Sequence, residues 1–203
     1  MNAHPFLRDP GRPIVLASRS PRRAEILRAQ GFDFAVRPAA IDETVASGET
    51  PAAHVRRLAL EKAAAIAADT PDALVVGSDT VVVIDGEILG KPADAAEARA
   101  MLSRLAGREH EVYSSAAAIA GGGGGVDHDV TRVRFRELEA DEIAAYVASG
   151  EPMDKAGSYG IQERGALIVA GIDGCYFNVM GLPLQALRRV WDEVVGPRGG
   201  GST

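Results

Sequence analysis

The chain has 203 residues, 46% hydrophobic and 25% charged, with 22 Lys+Arg against 28 Asp+Glu for a formal charge of −6, the composition of an ordinary globular domain. The acidic balance argues against a general nucleic-acid-binding surface, because such binding rests on neutralising many phosphates. The single cysteine, Cys175, excludes a disulfide framework and a Cys-based zinc site, and no run approaches the ~20 apolar residues of a membrane helix.

Met1–Pro13 has no apolar core of the kind a secretory signal needs, which with the lone cysteine predicts a cytoplasmic protein. That segment and Gly196–Thr203 are rich in Pro, Gly and polar residues and read as flexible ends around a single domain over residues 14–195. Ile14–Ser18 is a short apolar run, and Ser20-Pro21 reads as an N-cap followed by Pro at the first helical position. The helix it opens runs to about Gln30 and stops at Gly31. Phe32–Val36 alternates like a strand. Thr50-Pro51 opens a second helix reaching about Ala68.

Leu74–Ile84 is rich in β-branched residues and ends at Asp85-Gly86, a hairpin signal. Asp94 with Glu97 forms a capping-box pattern, and the helix that follows places Ala98, Met101, Leu102 and Leu105 on one face. Val112–Ala120 and Asp129–Leu138 read as two strands joined by Gly121–Gly125 as a flexible hairpin loop, with Asp127-His128-Asp129 at its solvated tip. Arg132, Arg134 and Arg136 alternate along the wet face of the second strand. A short helix spans Ala140–Ala148. Ala166–Ala170 and Cys175–Val179 are expected to form a final hairpin around Asp173-Gly174, before a closing helix over Leu184–Val194. Helix and strand signals alternate with hairpins, which predicts an α/β fold with a mixed sheet flanked by helices.

Nineteen of the basic residues are arginine and three are lysine: Lys62, Lys91 and Lys155. An ammonium and a guanidinium are not interchangeable, so in an arginine-rich chain these lysines mark places where Arg would not serve, or survive by chance. Lys62 stands near the middle of the apolar face defined by Val55, Ala59 and Ile66, within about 60° of each. Such a lysine either snorkels past the core edge or is directed into a polar cleft.

Asp79, in Gly77-Ser78-Asp79-Thr80, lies inside the most apolar strand of the chain. A buried carboxylate needs a partner: a metal ion, a lysine or a bound water. Asp42-Glu43 adds two carboxylates in a loop, and two carboxylates with phosphate oxygens are the usual surroundings of Mg²⁺. Ser18-Arg19-Ser20-Pro21-Arg22-Arg23 sets hydroxyls and guanidiniums at a strand-to-helix junction, an arrangement suited to phosphate. In Asp154–Gln162, Lys155, Tyr159 and Gln162 stand in a glycine-punctuated loop, where Tyr and Gln can stack on and read a base edge. There is no P-loop, dinucleotide fingerprint or nucleophile elbow, and His4, His54, His110 and His128 lack zinc spacing.

In this order, LASRSPRR (Leu16–Arg23), Asp42-Glu43, LALEKA (Leu58–Ala63), VGSDTVV (Val76–Val82), LGKP (Leu89–Pro92), EPMDKAGSYGIQ (Glu151–Gln162) and NVMGLP (Asn178–Pro183) resemble the Maf family of nucleoside triphosphate pyrophosphatases. The resemblance implies an elongated mixed sheet of the ITPase-like kind, two lobes around a cleft, and a homodimer. It implies hydrolysis of a nucleoside triphosphate to monophosphate and pyrophosphate with a divalent cation, Mg²⁺ or Mn²⁺, held by Glu43 and Asp79.

Asp79 matches the family's proton acceptor. Ser18, Arg23, Glu43, Lys62 and Lys91 match positions for phosphate, metal or catalysis, and Arg22, Thr80 and Gln162 positions for substrate choice. The DKAG-x-YGIQ form is similar to the branch acting on dTTP and UTP, extending to modified pyrimidine triphosphates. Ser158 stands where Ala is common and Glu163 where Gly is common. The alternatives are the same chemistry on a modified purine such as 7-methyl-GTP, or a nucleotide-binding regulator of cell division.

Overall fold

The computed structural model describes residues 4–196. The chain runs through β1 (Ile14–Leu16), α1 (Pro21–Ala29), β2 (Phe34–Val36), α2 (Pro51–Ala67), β3 (Leu74–Ile84), β4 (Glu87–Leu89), α3 (Ala95–Leu105), β5 (Glu109–Ala120) and β6 (Gly123–Phe135). It continues through α4 (Ala140–Ala148), three 3₁₀ turns (Glu151–Asp154, Ala156–Ser158 and Glu163–Leu167), β7 (Val169–Asp173), α5 (Tyr176–Met180) and α6 (Leu184–Val194). The strands hydrogen-bond in the order β2-β1-β3-β5-β6-β7, with β4 on β3. β1 pairs in parallel with β2 and β3, while β4 on β3 and β7 on β6 are antiparallel. The expected mixed α/β sheet is therefore present.

The chain divides into two compact units. The first takes the chain up to Asp79, Ser114–Asp129 and the chain from Gly181 on; the second takes Thr80–Tyr113 and Val130–Met180. β3, β5 and β6 each give residues to both.

The first unit is a β-α-β-α-β start followed by returning strand segments and α6. α2 begins where expected: the Thr50 hydroxyl accepts from the Ala53 amide and Pro51 occupies the first turn. Its buried face, His54, Val55, Leu58, Ala59, Lys62 and Ala63, packs Ala59 and Ala63 against Val15, Ala17, Val75 and Ala117. These small residues let α2 approach β3 closely. A Cβ on Gly77 would lie 2.1 Å from the Ala59 carbonyl oxygen. Within residues 4–13, most of them exposed, Leu7 is buried, the Trp191 indole donates to the Arg8 carbonyl at 2.8 Å, and His4 stacks on Phe32. The rest of the two expected flexible ends, residues 1–3 and 197–203, lies outside the described residues.

The second unit has its own core, in which Ala98, Met101, Leu102 and Leu105 of α3 meet Val82, Ile84, Val112, Val133 and Phe135. The Asp94 carboxylate caps α3 through the Ala96 and Glu97 amides, while Glu97 reaches back to the Ala93 amide at 2.6 Å, one residue before the one a standard capping box engages.

Three expectations need correction. The glycine run is not a five-residue loop: Gly121 (φ 57°) and Gly122 (φ 82°) alone make the turn, and Gly123–Gly125 belong to β6. Two successive left-handed residues suit a two-residue hairpin, so the strands close on them directly. Asp127 and Asp129 are therefore strand residues, half-buried and ion-paired with Arg189 of α6; they are not a solvated tip. Finally, Cys175–Val179 does not pair with β7, and Tyr176–Met180 is helical. Thr131 accepts the Cys175 amide at 3.0 Å, and Asn178 donates to the Val112 carbonyl at 2.8 Å and to Thr131 at 3.0 Å. These buried bonds hold a helical turn that β-propensity alone disfavours.

Candidate active site

In the first unit, β3 delivers Asp79 and α2 delivers Lys62 to one point. The Lys62 ammonium donates to Asp79 Oδ1 at 2.7 Å and pairs with Glu43 Oε1 at 2.8 Å. The Lys62 and Asp79 side chains are 9% and 8% exposed, against 41% for Glu43. Of the two readings of Lys62, the structure selects the polar one: the ammonium stays inside and meets carboxylates. Asp42, the other half of the acidic pair, turns instead onto its own loop and accepts from the Thr44 amide and hydroxyl.

The loop between β1 and α1 brings Ser18 and Arg23 together. Ser18 Oγ accepts from the Ser20 amide at 3.1 Å and from Arg23 at 3.2 Å. Ser20 holds the N-cap position, but its side chain makes no capping bond. Arg22 and Arg23 are half-buried. Burial pulls the Arg23 guanidinium below its ordinary value, Asp79 and Glu43 oppose that shift, and Arg22 adds to it. Arg23 thus senses the same carboxylates as Lys62.

One group in this unit escaped the sequence reading. The Gly181 carbonyl accepts from Arg23 Nε at 2.7 Å and from Ser78 Oγ at 2.9 Å, tying the LASRSPRR, VGSDTVV and NVMGLP segments to one atom. A backbone carbonyl has no signature in sequence; only the NVMGLP motif pointed there.

In the second unit, Thr80 is half-buried at the start of that unit's part of β3, and Lys91 is exposed just after β4. The Gly157 amide donates to the Gly90 carbonyl at 3.0 Å, so the LGKP and DKAG segments lie side by side. Lys155 does not extend into solvent: its ammonium donates to the Glu151 carbonyl at 2.5 Å and to Asp154 at 2.7 Å, bracing its own loop. Glu151 performs the same task from the other side, accepting from Tyr146 at 3.0 Å and from the Gly165 amide at 3.1 Å.

Tyr159, expected to stack on a base, is corrected. Its ring is 5% exposed, sits edge-on to Phe135 and His110, and its hydroxyl lies 2.8 Å from His110 Nε2. It is core. Gln162 remains half-buried and outside that core. Both departures from the family pattern have structural consequences. Ser158 directs its hydroxyl to the Met101 sulfur at 3.1 Å, and Glu163 adopts φ 53°, a left-handed conformation natural to glycine.

Asp79 and Glu43 form a donor pair that can be tested for a divalent cation. Among the described residues no trio of His, Cys, Asp or Glu gathers as a metal cage. Asp79 and Glu43 converge on one cation already, and Mg²⁺ commonly takes one or two carboxylates with its other ligands from phosphate and water. The residues fit that mode.

This fold and this clustering of motifs agree with the match of the Maf family's sequence model, described as Maf-like protein, over residues 13–194. The chain belongs to the Maf family. A protein named dTTP/UTP pyrophosphatase from Moorella thermoacetica is 56% identical over 173 residues, covering 84% of this chain and 89% of that one. Proteins of the same name from Symbiobacterium thermophilum and Bacillus cereus are 52% and 47% identical, covering 85% and 88% of this chain and 89% and 93% of theirs. A solved structure of the Staphylococcus aureus Ham1 protein superposes at a TM-score of 0.46 with 16% identity, over 61% of this chain and 71% of that one, a likeness too slight to carry an argument.

Proposed function

We propose that this chain hydrolyses dTTP and UTP, and modified pyrimidine triphosphates of the same shape, to the nucleoside monophosphate and pyrophosphate. The observation that carries the reading is the set of relatives of that name at 47–56% identity over most of both chains. The buried Lys62–Asp79 pair supplies its chemistry.

Water attacks the α-phosphorus in line with the departing pyrophosphate. The Asp79 carboxylate accepts the proton of that water. Lys62 holds Asp79 and Glu43 in place and offers positive charge to the phosphates. Ser18, Arg22 and Arg23, at the start of α1, are assigned to phosphate oxygens through charge-assisted hydrogen bonds. Lys91, exposed in the second unit, is assigned to neutralising charge on the leaving pyrophosphate, and Thr80 and Gln162 to substrate choice. A divalent ion, Mg²⁺ or Mn²⁺, would be held by Asp79 and Glu43; when bound it supplies charge neutralisation and polarises phosphoryl oxygen.

No helix among the described residues is long and apolar enough to cross a membrane. A cytoplasmic setting suits the unpaired Cys175. A homodimer is supported by exposed Leu167, Ile172, Tyr176 and Phe177, which fall on or beside β7, the last strand of the sheet order; light scattering of the purified protein tests it.

The decisive experiment is a pyrophosphate-release screen over normal and modified triphosphates with Mg²⁺ and with Mn²⁺. Turnover of dTTP and UTP above the purines, with a preference that shifts in Gln162→Ala, is the expected result. Preference for 7-methyl-GTP unaffected by Gln162→Ala overturns the substrate assignment. Stoichiometric nucleotide binding without turnover makes the protein a nucleotide-responsive regulator.

A further inference from the structure

The loop that carries Glu43 has no regular secondary structure from residue 37 to residue 50, and the Glu43 side chain is substantially exposed. Something must hold its carboxylate within 2.8 Å of Lys62. The nearest candidate in sequence, Asp42, is engaged with Thr44 and shapes the turn only locally. A second ion pair, whose arginine lies five residues before Lys62, also joins this loop to α2.

Arg57 Nε donates to Glu49 Oε1 at 2.7 Å and Nη2 to Glu49 Oε2 at 2.8 Å, the two-pronged geometry in which a guanidinium fixes a carboxylate's orientation as well as its distance. The same Nη2 donates to the Thr44 carbonyl at 3.0 Å, the residue next to Glu43. Glu49 Oε2 accepts the Ala46 amide at 3.0 Å and lies 2.9 Å from Nδ1 of His54, and the Glu49 side chain is 8% exposed. Arg57 also reaches Glu61 at 3.3 Å, which anchors the guanidinium along the helix. The hydrogen bonds from Arg57 push the Glu49 carboxyl far below the ordinary carboxylate range, so the clasp stays charged at neutral pH. Both ends of the loop segment, Thr44 and Glu49, are thereby pinned to the helix that presents Lys62.

We infer that Glu49 and Arg57 are positioning residues for the reaction: their two-pronged ion pair, with the Arg57–Thr44 bond, clamps the 42–49 loop onto α2 and so sets the Glu43 carboxylate against Lys62. Neither touches the reacting atoms. The inference rests on the proposed pyrophosphatase function for its kinetic readout, but not for its structural one.

The test uses the whole chain. Glu49→Gln keeps the volume of the side chain and removes its charge; Arg57→Lys keeps the charge and removes the fork. Each is expected to lower kcat/KM for dTTP by about 10- to 100-fold, the usual effect of losing a group that orients a ligand-bearing side chain. Each is also expected to speed amide hydrogen exchange over residues 42–49, with α1 and α6 unchanged.

A purely structural role is separated by a double-mutant cycle. In a Glu43→Gln background, adding Glu49→Gln should change kcat/KM by less than about twofold, because the group being positioned is gone. Full multiplicative loss in that background, or wild-type kinetics in both single variants, overturns the inference. If wild-type protein releases no pyrophosphate from any triphosphate, the functional reading fails instead. The exchange measurement then still decides the clasp, which is overturned if the 42–49 amides are as protected in Glu49→Gln and Arg57→Lys as in wild type.

Discussion

Lys62 and Asp79 meet at 2.7 Å with each side chain less than a tenth exposed, on a helix face and a strand whose other buried residues are apolar apart from His54 and Ser78. The pair is not symmetric in its surroundings. Lys62 retains Glu43 if Asp79 is neutralised, whereas removing Lys62 takes the ammonium from both carboxylates at once.

Asp79→Asn is therefore expected to abolish pyrophosphate release while leaving the fold intact, since the amide oxygen still accepts from Lys62 and Glu43 still balances it. Lys62→Ala removes the cation from two carboxylates, and losing one member of a buried pair costs about 3–5 kcal/mol. Comparing urea denaturation of the two variants checks this asymmetry; equal stability losses would show that Glu43 does not share the lysine.

Lys62→Arg should also lose activity. A compact ammonium fits between two oxygens at 2.7 and 2.8 Å, while a planar guanidinium on a longer stem displaces one of them. Lys91 is exposed, so Lys91→Arg has room to adapt and should keep a larger share of turnover. Steady-state kinetics with dTTP on both variants decides, and wild-type rates for Lys62→Arg would return that lysine to chance.

Gly77→Ala should destabilise strongly. The added Cβ would lie 2.1 Å from the Ala59 carbonyl oxygen and 3.0 Å from the Ala63 amide nitrogen, both of them helix backbone. Overpacking of this kind costs about 1–3 kcal/mol and more where backbone must move. A melting temperature within error of wild type would mean that α2 is not seated on β3 at that spacing.

Stability should fall with acid through His110. Burial pulls its pKa from 6.5 down to about 4. Between those values the unfolded chain binds the proton and the folded chain does not, so this contribution is complete above pH 6.5 and is lost as pH falls toward 4. The shift corresponds to about 3 kcal/mol in full. Denaturant midpoints between pH 7 and 4 should therefore drop more steeply for wild type than for His110→Gln, which can still bond the Tyr159 hydroxyl. Parallel profiles would exclude the histidine as the cause.

Glu163→Gly should stabilise. A left-handed non-glycine residue costs roughly 1–2 kcal/mol, and glycine returns part of that through unfolded-state entropy, leaving about 0.5–1 kcal/mol in favour of glycine. A lower melting temperature in the variant would show that the Glu163 side chain contributes more stability than its left-handed backbone costs.

Local chemistry made much of this legible in the amino-acid sequence. The helix starts at Ser20-Pro21, Thr50-Pro51 and Asp94, the turn at Asp85-Gly86, and the apolar face of α3 all depend on residues within a few positions of one another, where capping, turn preference and helical period act directly. The oddity of Lys62 on an apolar face and of Asp79 in an apolar strand was visible for the same reason. Which partner each would find was not, because Glu43, Lys62 and Asp79 lie on three separate segments and only folding brings them to one point.

Tertiary structure alone decided the rest. It made Cys175–Val179 largely helical through the buried bonds of Asn178 and Thr131. It turned Asp127 and Asp129 from an exposed tip into partners of Arg189, and it withdrew Tyr159 into a core of Phe135 and His110. Each of these outcomes balances a weak local preference against a buried polar group that must be satisfied. That balance is struck between residues far apart in the chain, where neither periodicity nor composition carries information.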